Sequence, residues 1–285
     1  MTRSIPRRMF CLALLSSGFP ARRALAQAQP SLELGLLPNL GARTLVAQYR
    51  PMREYLEHSL GRSVQLSTAP HWSAFHLRAL AYEYDLMVTA IHLARLAQLD
   101  RNYQPLVQMM PDIECLLVCA AARPLDSVAD LRGRTLVLSN PQSLVAVRGL
   151  HWLAEQGLQQ ERDFRLARRR NDDSAATALV RGDAVAALVS SGEFLATPEP
   201  LRMQLQVVSR FARVPGFVVM ASPRLETQTA QAARAALLAF DGRSALGQSF
   251  FRQTGLQGMR VLPDGQMEAM DPLVASTRAL LQEAP

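Results

Sequence analysis

The segment Ser139-Asn140-Pro141-Gln142-Ser143 has the residue types of an anion-binding helix start. Asn140 is a good N-cap and Pro141 suits the first helical position, while Leu144, Val147, Leu150 and Leu153 form an apolar face behind them. The amides of Gln142 and Ser143 are then expected as unpaired donors at the positive end of a helix, which holds an anion without lysine. That matters because the chain has no lysine: all 31 basic residues are arginine. Lysine Schiff bases, Walker A loops and the lysine contact of protein kinases are therefore excluded together. A second helix start, Asn171-Asp172-Asp173-Ser174, brings its own carboxylates, which compete with a bound anion.

Catalytic and metal signatures are absent. The five histidines, His58, His71, His76, His92 and His151, include no H-E-x-x-H pair, and no G-x-S-x-G, G-x-G-x-x-G or C-x-x-C occurs. Beyond the leader the chain has two cysteines, Cys115 and Cys119, in the apolar run Glu114–Ala120. On one strand they lie about 13 Å apart, too far for a disulfide. They are expected as free thiols acting as small buried hydrophobes. No metal and no cofactor are expected.

The elements that position these residues follow an α/β pattern, in which short apolar runs alternate with helical periodicity. Strands are expected at 32–37, 64–69, 85–89, 114–120, 131–138, 185–189 and 216–221. Helices are expected at 45–60, 72–80, 93–99, 143–156, 175–181, 225–240, 244–254 and 273–281. Pro51 should kink the first helix. The runs 114–120 and 216–221 read as strands that cross between two lobes, with a self-contained α/β stretch between them. The expected organisation is a two-lobed clamshell with lobe I at 27–118 and 217–285 and lobe II at 119–216, each a mixed sheet flanked by helices.

Residues 1–26 have the three parts of an export signal: Arg7-Arg8, an apolar stretch from Met9 to Leu15, and the Ala24-Leu25-Ala26 cleavage site. The apolar stretch is far short of the roughly 20 residues a membrane span needs. Arg7-Arg8-Met9-Phe10 resembles a twin-arginine core with Pro6 in place of Ser or Thr, so the route is Sec or Tat. The leader also explains the net charge of +7: five arginines and no acid precede position 27, leaving 26 arginines against 24 acids. A periplasmic location with no nucleic-acid partner follows. Arg168-Arg169-Arg170 is offset by Asp172-Asp173 and reads as solvated surface.

Three stretches resemble the type II periplasmic solute-binding proteins of phosphonate, phosphite and phosphate ABC transporters. They are Pro51-Met-Arg-Glu-Tyr55-Leu56 with Leu60-Gly61-Arg-Ser-Val64; His71-Trp72-Ser-Ala-Phe75 leading to Tyr84-Asp85-Leu86; and Ser127–Arg134 followed by Asn140–Ser143. The resemblance implies the clamshell fold, a monomer that is not an enzyme, and delivery of a small ligand to an inner-membrane ABC permease. It carries over Asn39, Trp72 in place of the family's Tyr, the loop Ala90-Ile91-His92, and Ser143 as ligand-binding positions. Asn140 and Gln142 join them from the helix start, and Asp172 or Asp173 stands where the family has a histidine. The departures are specific. Leu144 and Val145 replace family hydroxyls, Ala90-Ile91 replaces a glycine-proline pair, and Val185 replaces an acid. Each lost donor to a buried oxyanion costs on the order of 1–3 kcal/mol. The expected ligand is an oxyanion or a more apolar molecule stacked on Trp72. A sensor partnering a membrane histidine kinase, or an enzyme on the same fold, are the alternatives.

Overall fold

A computed structural model describes Met1 and residues 30–282, except 139, 170 and 171 and the side chains of 172 and 173; the rest of the expected leader lies outside the described residues. The chain runs β1 (Leu32–Leu36), α1 (Ala42–Leu60), β2 (Val64–Thr68), α2 (Trp72–Leu80), β3 (Leu86–Thr89), α3 (Ile91–Arg101), β4 (Gln104–Met110), β5 (Ile113–Ala120) and β6 (Thr135–Leu138). It continues α4 (Leu144–Glu155), β7 (Arg165–Arg168), α5 (Asp172–Arg181), β8 (Ala186–Ser190), α6 (Ser191–Ala196), α7 (Glu199–Arg202) and β9 (Leu205–Val214). β10 (Val218–Ala221), α8 (Thr227–Ala239), α9 (Ala245–Thr254), β11 (Gly258–Arg260) and α10 (Val274–Gln282) complete it.

Two mixed sheets result, in strand order β11-β4-β10-β3-β1-β2 and β7-β6-β8-β5-β9. Each has three parallel strands: β2, β1 and β3 in the first, β7, β6 and β8 in the second. Antiparallel β10 returns beside β3, and antiparallel β5 beside β8. The central strands are apolar throughout because both faces are covered. In β10, Val218 and Met220 join one apolar cluster while Val219 and Ala221 join another. In β5, Cys115, Leu117 and Cys119 face one cluster while Leu116, Val118 and Ala120 face a third. α1, α8 and α9 pack together on one face of the first sheet, and α2, α3 and α10 on the other. The cluster beneath α2 and α3 continues into the second sheet under α4, so a single apolar body joins the lobes.

Several expectations change. α1 starts at Ala42, a turn earlier than expected, and runs through buried Pro51 because Leu45, Tyr49, Met52 and Leu56 are buried on the same face and their burial outweighs one missing hydrogen bond. The expected strand 131–138 is shorter. Val128–Leu131 is a 3-10 turn with a Ser127–Asp130 capping box, and Gly133 turns with φ 71°, so the strand starts at Thr135. β4, β7, β9 and β11 had no signal strong enough to be anticipated. β9 and β7 are sheet edges with exposed arginines, and β4 contains Pro105 opposite an irregularity in its register with β10.

The strand pairing also relocates the crossings. β5 pairs only within the second sheet and β10 only within the first, so neither strand is shared. The chain passes between sheets at Pro111-Asp112 and at Pro215-Gly216-Phe217, which puts the first crossing before β5 rather than at 118/119. The two passages touch. The Met109 N–H donates to the Phe217 carbonyl at 2.8 Å, and a Cβ on Gly216 would stand 2.1 Å from the Met109 carbonyl oxygen. Only glycine fits there. Gly216→Ala is expected to destabilise the protein by about 1–3 kcal/mol through overpacking, seen as a lower urea midpoint with little change in slope. An unchanged midpoint would show that the passages tolerate separation.

Candidate functional site

In open α/β sheets a ligand crevice forms beyond the carboxyl ends of parallel strands, where the order of connections reverses. Here the reversals fall at β1, which lies between β3 and β2, and at β6, which lies between β8 and β7. Asn39 follows β1, Trp72 follows β2 and His92 follows β3. Asn140, Gln142 and Ser143 follow β6, and Asp172 follows β7. Every expected site residue therefore sits at a carboxyl end, although the side chain of Asp172 lies outside the described residues.

Trp72, His92 and Gln142 meet between the lobes. The Trp72 indole N–H donates to the Pro38 carbonyl at 3.2 Å, next to Asn39, and its ring centroid is 6.1 Å from that of His92. His92 Nε2 lies 3.0 Å from the Gln142 carbonyl. A carbonyl only accepts, so Nε2 carries the proton and Nδ1 is left as a buried acceptor without a protein partner. The Gln142 carboxamide donates to Ser73 Oγ at 3.1 Å and to the Leu280 carbonyl of α10 at 2.7 Å. One glutamine thus ties the β6–α4 loop to α2, α3 and α10.

The helix start differs from the expectation. Ser143, not Asn140, is the N-cap: its Oγ accepts the Ala146 N–H at 3.1 Å and α4 begins at Leu144. Asn140 Oδ1 accepts the Gln142 N–H at 2.8 Å, and its carbonyl accepts the Ser143 N–H at 3.3 Å. The two amides expected to be open are therefore engaged inside an Asx turn. The amides of Leu144 and Val145, in the first turn, stand at the positive end instead. Pro141 lies in the turn and not at the first helical position.

At the other end of the crevice, a cavity of about 90 Å³ spans both lobes and both passages. Asn39 is the one expected site residue on its wall. Gln48, Tyr49, Asp112, Ser190, Phe217 and Thr254 were not anticipated. One signal was present in the sequence: Ser190-x-x-Glu193 is a capping box directly after a strand. Glu193 Oε2 accepts the Ser190 N–H at 2.8 Å and Ser190 Oγ accepts the Glu193 N–H at 3.0 Å, which fixes the start of α6 on the cavity wall. Burial raises the Glu193 pKa, against the effect of these bonds. Asp112 lies 3.4 Å from Arg260 and accepts from Gln108 at 3.4 Å. Both cysteines are free and buried, and burial pushes the Cys115 thiol up to about 12, so it is neither a nucleophile nor a soft ligand at neutral pH. Among the described residues no group of three His, Cys, Asp or Glu side chains is placed to hold a metal, and no helix is long and apolar enough to cross a membrane.

Burial lowers the His92 pKa from 6.5 to about 4, with the Gln142 hydrogen bond acting in the opposite direction. Between those values the unfolded chain takes up a proton that the folded chain refuses. Stability attributable to His92 is therefore complete above pH 6.5 and is lost as pH falls towards 4. The full loss is about 3 kcal/mol. His92→Gln does not titrate, and this variant should lose correspondingly less stability between pH 7 and pH 4 in denaturant unfolding. Buried His76, also lowered, remains in both proteins as a common background. Equal pH slopes for the two proteins would refute the assignment.

A profile of the family described as "ABC transporter, phosphonate, periplasmic substrate-binding protein" matches residues 34–264. A comparison with curated protein sequences finds no match. Among solved structures, a binding protein component of a phosphonate ABC transporter from Pseudomonas aeruginosa is similar with a TM-score of 0.76 at 16% identity, covering 88% of each chain. PhnD1 from Prochlorococcus marinus, solved with methylphosphonate, has a TM-score of 0.77 at 12% identity, covering 87% of this chain and 98% of its own. A Xanthomonas citri protein solved with ATP has a TM-score of 0.68 at 18% identity, covering 90% and 99%. At these identities the structures establish the two-lobed fold and not the ligand. The sequence profile spans well over half of the chain, and on that match the chain belongs to the family of periplasmic substrate-binding proteins of phosphonate ABC transporters.

Proposed function

We propose that this protein captures a small solute at the facing carboxyl ends of β1, β3, β6 and β8 and presents it to an inner-membrane permease. The observation that carries the proposal is the crevice itself: residues after β1 and β8 line a cavity that touches both lobes, and the loop after β6 reaches α2, α3 and α10 through Gln142. Asn39, Trp72 and His92 form the wall from the first sheet. Gln142 reaches across from the second, Asn140 and Ser143 hold its loop in place, and Asp172 opens α5 after β7, the strand next to β6. The family consists of substrate-binding proteins and not of enzymes.

In this proposal residues 1–26 direct export through Sec or Tat and are removed, and the remainder works as a monomer. The lobes divide near residues 111–112 and 215–217, where the strands change sheet, and they move about those passages as the ligand enters and leaves. Solute capture requires that the folded form bind what the unfolded form does not. A ligand at about 100 times its Kd therefore adds roughly 2.7 kcal/mol of stability, which raises the unfolding temperature. Purified protein should show such a rise with at least one member of a panel of oxyanions, organic acids, amines, amides and polyols. No rise with any class would defeat the proposal.

A further inference from the structure

We infer that the cavity between the lobes receives a small uncharged group with hydrogen-bonding atoms, such as a carboxamide or a diol, and rejects phosphate and phosphonate anions. The inference rests on the solute-binding function proposed above and names the ligand chemistry of one end of that site. Size gives the first limit. The cavity is about 90 Å³, against the ~150 Å³ that accommodates benzene, so it has room for roughly four non-hydrogen atoms.

Charge gives the second. Among the described residues no arginine or histidine lines the cavity, and the one carboxylate on its wall is Asp112. An anion would meet Asp112, and the Arg260 guanidinium beside it is already paired with that carboxylate at 3.4 Å, so the wall offers no free cation to a buried charge. The helix start that meets the cavity does not relieve this. Glu193 already places a carboxylate at that end of α6 and accepts the Ser190 N–H. A cation is not favoured either, because Asp112 is shared with the Arg260 guanidinium at 3.4 Å.

Neutral hydrogen-bonding groups, by contrast, are at hand. The Tyr49 hydroxyl is buried, and the partner it has is the weak acceptor Met109 Sδ at 3.8 Å. Burial holds its pKa far above the ordinary phenol value, so it stays a neutral donor. Asn39 offers both an acceptor and a donor, and the Gln48 carboxamide, which gives one proton to the Gln253 carbonyl, keeps its oxygen and a second proton. Apolar walls such as Phe217 flank these groups. Such a site distinguishes an amide or diol from an oxyanion by charge and not by shape.

Acetamide and ethane-1,2-diol, each of four non-hydrogen atoms, serve as neutral probes, with phosphate and methylphosphonate as anionic ones, in calorimetric titration and thermal unfolding of the purified protein. Gly192 supplies a blocking variant: a Cβ there meets nothing nearer than Ser190 Oγ at 3.9 Å, so Gly192→Leu adds bulk at the cavity wall without a clash at the backbone. Circular dichroism checks that this variant folds, and Asn39→Ala provides a second, smaller change. The expected result is that a neutral probe binds, that Gly192→Leu weakens it at least tenfold and Asn39→Ala measurably, and that neither anion competes with it. Three results would overturn the inference: an anion bound by the native protein and lost in Gly192→Leu, a neutral probe indifferent to both variants, or no neutral binding at all. An anion whose binding survives Gly192→Leu, with both neutral probes inert, would overturn this inference and leave solute binding intact.

Discussion

The arrangement depends on how little chain connects the two sheets. Two residues lead from β4 to β5 and three from β9 to β10, and the passages are packed together, with Gly216 against the Met109 carbonyl and Met109 N–H on Phe217. Neither lobe has slack in which to turn its back on the other. The carboxyl ends of the parallel strands consequently face each other, and every loop that follows one of those strands is delivered to the same crevice. The passages themselves contribute Pro111, Asp112 and Phe217 to the cavity wall. The proposed hinge and the candidate site are thus built from adjoining residues, an arrangement in which ligand contact and lobe closure become one event.

Closure in this structure is held by two kinds of contact. The apolar cluster that runs from Trp72 and Ile91 to Leu144 and Val145 removes hydrocarbon of both lobes from water. The Gln142 bonds to Ser73 and Leu280, with His92 on the Gln142 carbonyl, then fix the register of the lobes. Hydrogen bonds of this kind contribute only about 0.5–1.5 kcal/mol each, since water replaces them on opening. Apolar contact favours closure, and the polar contacts select one closed geometry. A ligand needs to add only its own differential contacts to shift that balance.

The fold was legible in the sequence wherever a segment is buried on both faces or shows a clear helical stripe. α2 matches its expected bounds, and β1, β3, β5, β8 and β10 each lie where an apolar run is read. What was hidden is what hydrophobicity does not encode. β9 and β7 carry arginines on open edges, and the crossing points are decided by pairing partners far away in the chain. The site was legible by position, because strand ends can be counted, but not by chemistry. Asn140 and Ser143 both suit an N-cap, and the choice between them turns on whether Asn140 closes an Asx turn on Gln142. Tyr49 reads as one more apolar position of α1, since nothing local reveals that it lines an inter-lobe space.

The absence of lysine acquires a structural sense from where the arginines are engaged. Arg95 holds Asp271 through two nitrogens and reaches Glu268, and Arg278 of α10 pairs with Asp100, so that α10 is clamped across α3. Arg210 and Arg213 share Glu114 on the β9 edge, and Arg132 and Arg162 share Asp163. The Arg95–Asp271 and Arg278–Asp100 pairs are planar, forked contacts that an ammonium cannot reproduce. Exposed pairs of this type add little stability individually, but the clamp on α10 has a further consequence: it positions the Leu280 carbonyl that receives Gln142. Guanidinium groups therefore act on the crevice from outside, through the helix they anchor. Neutral amides and hydroxyls, together with the neutral His92, form the described polar surface between the lobes, apart from Asp112, whose charge is shared with Arg260. Recognition in that surrounding is governed by hydrogen-bond geometry and by the exclusion of charge.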